Sequence, residues 1–144
     1  MANKILVALD GSDGSKRALS AAAQHARLTD SDLVLAYVID WSPYSFHTPQ
    51  ELEERHKRRE SEIQRANDSV LNPELAALQA EGIKVETVVH HGKIAETLLE
   101  LGDQQGVSQI YIGRRGESRM HTMIFGSVSA ALVQTSSVPV TVVP

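Results

Sequence analysis

The chemically richest stretch of this chain runs from residue 113 to residue 129. It reads Gly113-Arg114-Arg115-Gly116, then Glu117-Ser118-Arg119 and a more apolar run containing His121, then Gly126-Ser127-Val128-Ser129. Arg114, Arg115 and Arg119 stand against Glu117 alone, a local cationic excess in an otherwise acidic chain. Glycine at a strand end lets a backbone approach a ligand closely. A helix beginning at Gly126-Ser127 would present free N–H groups and partial positive charge, which favour phosphate. Taken alone, the stretch fits a polyphosphate cradle and an ordinary capped surface loop equally well.

A second polar turn, Asp10-Gly11-Ser12-Asp13-Gly14-Ser15-Lys16, satisfies neither the phosphate-loop spacing GxxxxGK(S/T) nor the dinucleotide spacing GxGxxG. Asp10 could accept hydrogen bonds from a ribose or a base, or help hold a cation. Asp and Ser serve as often in turns and caps, so Asp10 and Ser12 have that reading too. Val38 and Ile39 could offer backbone groups to an adenine edge, with Trp41 or Tyr44 covering the ring; the same aromatics serve equally as packing anchors. His90 and His91 invite a metal reading, but neighbours on a strand point to opposite sides. With no HExxH and no cysteine, zinc is disfavoured.

The elements that must hold these residues alternate in period. Lys4 to Asp10, Asp32 to Asp40, Gln109 to Ile112 and Pro139 to Val143 are short apolar runs of the kind buried in a parallel sheet. Ile83 to His90 is a fifth strand, more polar and therefore expected nearer an edge. Ser12 to Leu28 has helical spacing, with Ala18, Ala22 and Ala26 in one line. Helices are also expected from Gly92, with Ile94, Leu98 and Leu101 on one stripe, and over Ser127 to Gln134. Thr48-Pro49-Gln50-Glu51 reads as a capping box with proline at the first helical position. The charged run after it reads as a solvated face, and Asn72-Pro73 is expected to break or kink the helix, with Asn72 capping the restart before Gly82. Such alternation implies right-handed crossovers and a single open α/β sheet covered on both faces. Ligands then bind beyond the carboxyl ends of the strands, where the strand order reverses.

Composition narrows the function. At 144 residues the chain is expected to form one domain spanning 1–144. Its 14 Lys and Arg against 18 Asp and Glu give a net charge of -4, which argues against a general nucleic-acid binder. Absence of cysteine excludes disulfides, thiolate metal sites and cysteine catalysis. No apolar run reaches the ~20 residues of a membrane span, and no secretory leader is visible, so the expectation is a cytoplasmic protein without direct membrane insertion.

The spacing Gly113-x2-Gly116-x9-Gly126-Ser127 resembles the nucleotide-binding pattern of the universal stress protein family, ATP-binding class. KILVALDGSDGSKRAL resembles that family's opening strand and turn, VVHHGKIAETLLELG its glycine-initiated helix, and SSVPVTVVP its closing strand. Ser108 departs from the acidic residue often found there, and residues 41–73 correspond to the variable region.

The resemblance implies a five-stranded parallel sheet of order 3-2-1-4-5, similar to the adenine-nucleotide alpha-hydrolase fold. It implies ATP with adenine near Ala8, Leu9, Asp10 and Val38 and ribose near Asp10 and Gly113. The phosphates would meet Gly113, Arg114, Arg115, Gly116, Glu117, Ser118 and Arg119, and the helix start Gly126, Ser127, Val128 and Ser129. Mg²⁺ or Mn²⁺ would bridge the phosphates, with Ser127 an indirect contact and no dedicated protein metal site. It also implies a homodimer through Pro139 to Val143, an apolar edge that proteins rarely leave bare; a higher oligomer is left open.

In-line hydrolysis needs a residue that positions water, and the sequence offers no convincing one. The leading expectation is therefore a nucleotide-responsive stress regulator of a partner protein or pathway, with a membrane transporter among the candidates and the charged 51–65 face, including Arg58 and Arg59, as the partner surface. The alternative is a slow ATPase or an ATP-dependent phosphotransferase on an unknown substrate, which would need a second pocket. A nucleotide-independent interaction module ranks lower. A receiver domain is rejected, because it needs an Asp after the third strand and a Lys after the fifth, where this chain has His90 and Pro144.

Overall fold

A computed structural model describes residues 3–40, 48–115 and 126–144. Its elements are β1 (Lys4–Ala8), α1 (Asp13–Thr29), β2 (Asp32–Asp40), α2 (Pro49–Ala66), a π-helical segment (Asn67–Leu71), α3 (Asn72–Ala80), β3 (Val85–Gly92), α4 (Ile94–Gln105), β4 (Gln109–Gly113), α5 (Ser127–Thr135) and β5 (Val140–Val143). The strands form one parallel sheet in the order β3-β2-β1-β4-β5. The order reverses between β2 and β4 on either side of β1, so the switch point lies at the carboxyl end of β1. The polar strand β3 takes an edge, as its composition predicts.

Alternation along the central strands builds two cores. Ile5, Val7 and Leu9 join Leu33 and Leu35 beneath α1, with Leu71 and Leu78 from the π segment and α3. Leu6, Ala8, Val34, Ala36 and Val38 face the opposite way, beneath α4 and α5, which add Leu98, Leu101 and Leu132. The alanine line of α1 is fully used: Ala18, Ala22 and Ala26 are all buried. Small side chains let this helix lie close to the sheet, and that closeness fixes the β1–α1 turn. Ser12 caps α1, its hydroxyl accepting a hydrogen bond from the Ser15 amide at 3.2 Å.

Two boundaries differ from expectation. The strand expected over Ile83 to His90 starts at Val85 and continues to Gly92, so α4 starts at Ile94 rather than at Gly92. Register with β2 runs to Asp40 opposite Gly92, and this pairing carries the strand beyond His90. The Thr48–Glu51 capping box and the proline start of α2 form as read. Asn72, however, caps nothing: it lies in a right-handed helical conformation, and its amide bonds back to the Asn67 carbonyl. The π turn shifts the hydrogen-bond pattern by one residue and leaves Pro73 in the first turn of α3. A missing N–H costs little there, so the chain passes through without a break. The aromatic stretch 41–47 lies outside the described residues.

Candidate functional site

β1, β2, β4 and the starts of α4 and α5 converge on a cleft of 390 Å³ at the switch point. This size falls in the range of about 300–1,000 Å³ that accommodates small ligands. Ala8, Leu9 and Asp10 contribute from the end of β1, and Val38 and Ile39 from β2. Gly113 and Arg115 enter from β4, with Gly126 through Ser129 from the start of α5. The described candidates thus share one cleft, apart from Arg114, which is exposed and does not line it. Gly116, Glu117, Ser118 and Arg119 lie outside the described residues.

Asp10 is half-buried, and its Oδ1 accepts hydrogen bonds from the Ser12 amide at 2.9 Å and from the Ser12 hydroxyl. One carboxylate oxygen therefore stabilises the turn, which Gly11 completes at φ 82°. The turn-forming role of Asp10 is real, and it also places the carboxylate at the cleft.

Gly113 lines the cleft, and it also makes a close approach that the sequence did not anticipate. A Cβ on Gly113 would lie 2.8 Å from both the carbonyl carbon and the oxygen of Gly14, and one on Gly14 would lie 2.6 Å from the Arg115 carbonyl oxygen. The close approach is between two protein backbones, the end of β4 and the first turn of α1. Gly126 corrects one expectation. Its N–H is not free, because it donates to the Arg114 carbonyl at 2.7 Å. The same carbonyl lies 3.2 Å from the Ser129 hydroxyl, which is 2.9 Å from the Gly126 carbonyl. Arg114 thus acts through its backbone as the tie between β4 and α5, its own N–H donating to Val143 at 2.7 Å. Among the described residues no side chain caps α5. The first-turn amides of Ser127, Val128 and Ser129 have no intrahelical acceptor, and all three residues line the cleft.

Ile94, Leu98 and Ile112 form an apolar wall that was not anticipated as part of a site. The helical stripe Ile94-Leu98-Leu101 was visible in the sequence, but only topology shows that its first two members reach the cleft while Leu101 stays in the core. His90 is exposed and His91 half-buried, so the two do diverge. His91 Nε2 lies 3.2 Å from Glu62 on α2. Among the described residues no cluster of three His, Cys, Asp or Glu could hold a metal, and no helix is long and apolar enough to cross a membrane.

An open parallel sheet with a cleft at its switch point is a doubly wound α/β fold. Within that class the chain belongs to the universal stress protein family, whose family model matches residues 1–144. The universal stress protein YxiE of Bacillus subtilis is 31% identical over 150 residues, spanning 99% of each chain. The universal stress protein UspA from Lactobacillus plantarum has the same fold at a TM-score of 0.87, with 24% identity over 99% of this chain and 97% of its own. Two further similar structures are nucleotide complexes. One is a universal stress protein in complex with cAMP, at a TM-score of 0.69 and 24% identity over 99% of this chain and 96% of that one. The other, from Archaeoglobus fulgidus, is in complex with dAMP, at a TM-score of 0.64 and 18% identity over 100% and 98%.

Proposed function

We propose that this protein binds ATP in the switch-point cleft and acts as a nucleotide-responsive regulator of a partner protein. The observation that carries the reading is the uncapped α5 N-terminus opening onto the same cleft as Asp10 and Val38. A helix start whose first-turn amides lack intrahelical acceptors suits phosphate. The apolar wall of Ile94, Leu98 and Ile112 suits a base. Family members in complex with cAMP and dAMP support an adenine nucleotide as the ligand class.

In this reading Val38 and the Ile39 backbone meet the adenine, and the Asp10 carboxylate receives a ribose hydroxyl. The amides of Ser127, Val128 and Ser129 take the phosphates, with Arg115 beside them, and Gly116 to Arg119, which lie outside the described residues, are the further phosphate contacts that the resemblance implies. A Mg²⁺ or Mn²⁺ ion would be held chiefly by phosphate oxygens and water. Because the sequence offers no convincing residue to position an attacking water, occupancy rather than turnover is the proposed output. The regulated partner reads the charged face of α2, where Arg58 is exposed and Arg59 half-buried, and two copies pair through β5.

The test is to denature the purified protein, identify released nucleotide by chromatography, and titrate the stripped protein with ATP, ADP and AMP by calorimetry. Saturable ATP binding that is tighter than ADP binding is expected. No retained nucleotide and no heat with any of the three would leave an interaction module in its place. Turnover at several per second, lost in Ser127→Ala, would make it an enzyme.

A further inference from the structure

A second cleft, of 530 Å³, opens on the opposite face of the sheet, between the β1–α1 turn and the inner side of α2, the π segment and α3. Its apolar floor is Leu9, Tyr37, Ile39 and Val70, and its charged lining includes Lys16, Arg65 and Glu74. Tyr37 and Ile39 lie two apart on β2 and so share a face. Glu62, Arg65, Ser69 and Glu74 follow one another at three- to five-residue steps along the overlying helix, and the π turn falls between Arg65 and Glu74. π turns occur frequently at functional sites.

The charge state of this cleft is specific. Glu62 faces His91 at 3.2 Å, and Asp10 is bonded to Ser12 through one oxygen. Lys16, Arg65 and Glu74, by contrast, have no ion-pair partner among the described residues. The cleft thus carries both signs of charge around an apolar floor, Lys16 and Arg65 against Asp10, Glu62 and Glu74, with Lys16, Arg65 and Glu74 not paired to one another. A ligand with a single charge would satisfy one sign and face repulsion from the other. A small zwitterion satisfies both.

We propose that this cleft is a second ligand site for a free amino acid with an apolar side chain. The α-carboxylate meets Lys16 and Arg65, the α-ammonium meets Glu74, and the side chain lies on Tyr37, Ile39 and Val70. The two clefts share Leu9, Asp10, Ser15, Tyr37 and Ile39 where they meet, but Lys16, Arg65, Val70 and Glu74 line the second alone, so the site does not depend on the nucleotide reading.

The experiment uses nucleotide-free full-length protein and follows backbone amide chemical shifts during titration with L-alanine, L-leucine and L-phenylalanine. Isocaproate and isopentylamine, which are leucine without its amine and without its carboxylate, serve as single-charge analogues. Saturable shifts at Gly11, Ser69 and Val70 are expected with at least one of the amino acids. Each single-charge analogue should bind at least about tenfold more weakly, as loss of one charge-assisted contact implies. Glu74→Gln should erase the preference over isocaproate, and Arg65→Gln the preference over isopentylamine. No saturable shift with any of the three amino acids overturns the proposal, as does an analogue that binds as tightly as leucine.

Discussion

Ser127 is the first residue of α5, and Gly126 before it is extended, at φ -64° and ψ 157°. Proline is tolerated at the first helical position, and it requires an extended residue ahead of it. Ser127→Pro therefore deletes one cleft-facing amide while preserving the helix. If the α5 amides hold phosphate, ATP affinity should fall by about tenfold, since a hydrogen bond to a charged group contributes about 1.5–3 kcal/mol. Adenosine affinity and the urea unfolding midpoint should stay unchanged, which calorimetry and equilibrium denaturation can check together. Equal ATP affinity in the variant would place the phosphates elsewhere. The sequence located this helix start correctly, because glycine and serine ahead of an apolar-periodic run are a local signal. It did not reveal that Gly126 spends its N–H on Arg114, or that Ser129 directs its hydroxyl to backbone carbonyls. Both bonds join residues separated by an intervening loop or turn, and only the folded geometry brings them together.

Between elements, the decisive contact is α1 against the end of β4. Gly14 and Gly113 meet with backbone nearly touching backbone, which draws the Asp10 turn and the Arg115 strand end into one cleft. Gly113→Ala would force a methyl group onto rigid backbone rather than onto a flexible side chain. It should destabilise the fold by about 1–3 kcal/mol, the range for overpacking, as a lowered urea midpoint at unchanged m-value. An unchanged midpoint would show that α1 can move away freely. Most elements were legible because each carries a periodic signal: the alanine line of α1, the continuous apolar runs of β1 and β2, the capping box at Thr48. The polar character of β3 correctly signalled an edge. The π segment was not legible, since Asn72-Pro73 has the same local appearance whether a helix stops or shifts its register. The second cleft escaped notice for the same reason. Its charges come from three elements whose inward faces only the tertiary packing defines.

At the scale of the whole molecule, β5 leaves one side of the sheet open. Pro139 accepts from Ile110, and Val143 from Arg114, through their carbonyls. Residues two apart on a strand face the same way, so Thr141 also turns toward β4. The N–H and C=O groups of Val140 and Val142 then point away from the sheet. A second copy can satisfy them by edge-to-edge pairing, and the charge-free sequence of β5 offers nothing to prevent it. Val142→Pro removes an outward amide while keeping every bond to β4, and proline is accepted on edge strands. The wild-type protein should sediment as a dimer and the variant as a monomer, with a cooperative unfolding transition retained in both. A wild-type monomer, or a variant dimer of undiminished affinity, would remove β5 from the interface. The outcome also bears on the cleft, because Val143 on β5 accepts the Arg114 amide and Arg114 in turn holds the start of α5. An interface that rigidifies β5 would steady the amides that receive phosphate, so the monomeric variant should bind ATP more weakly even though no residue of the cleft has changed.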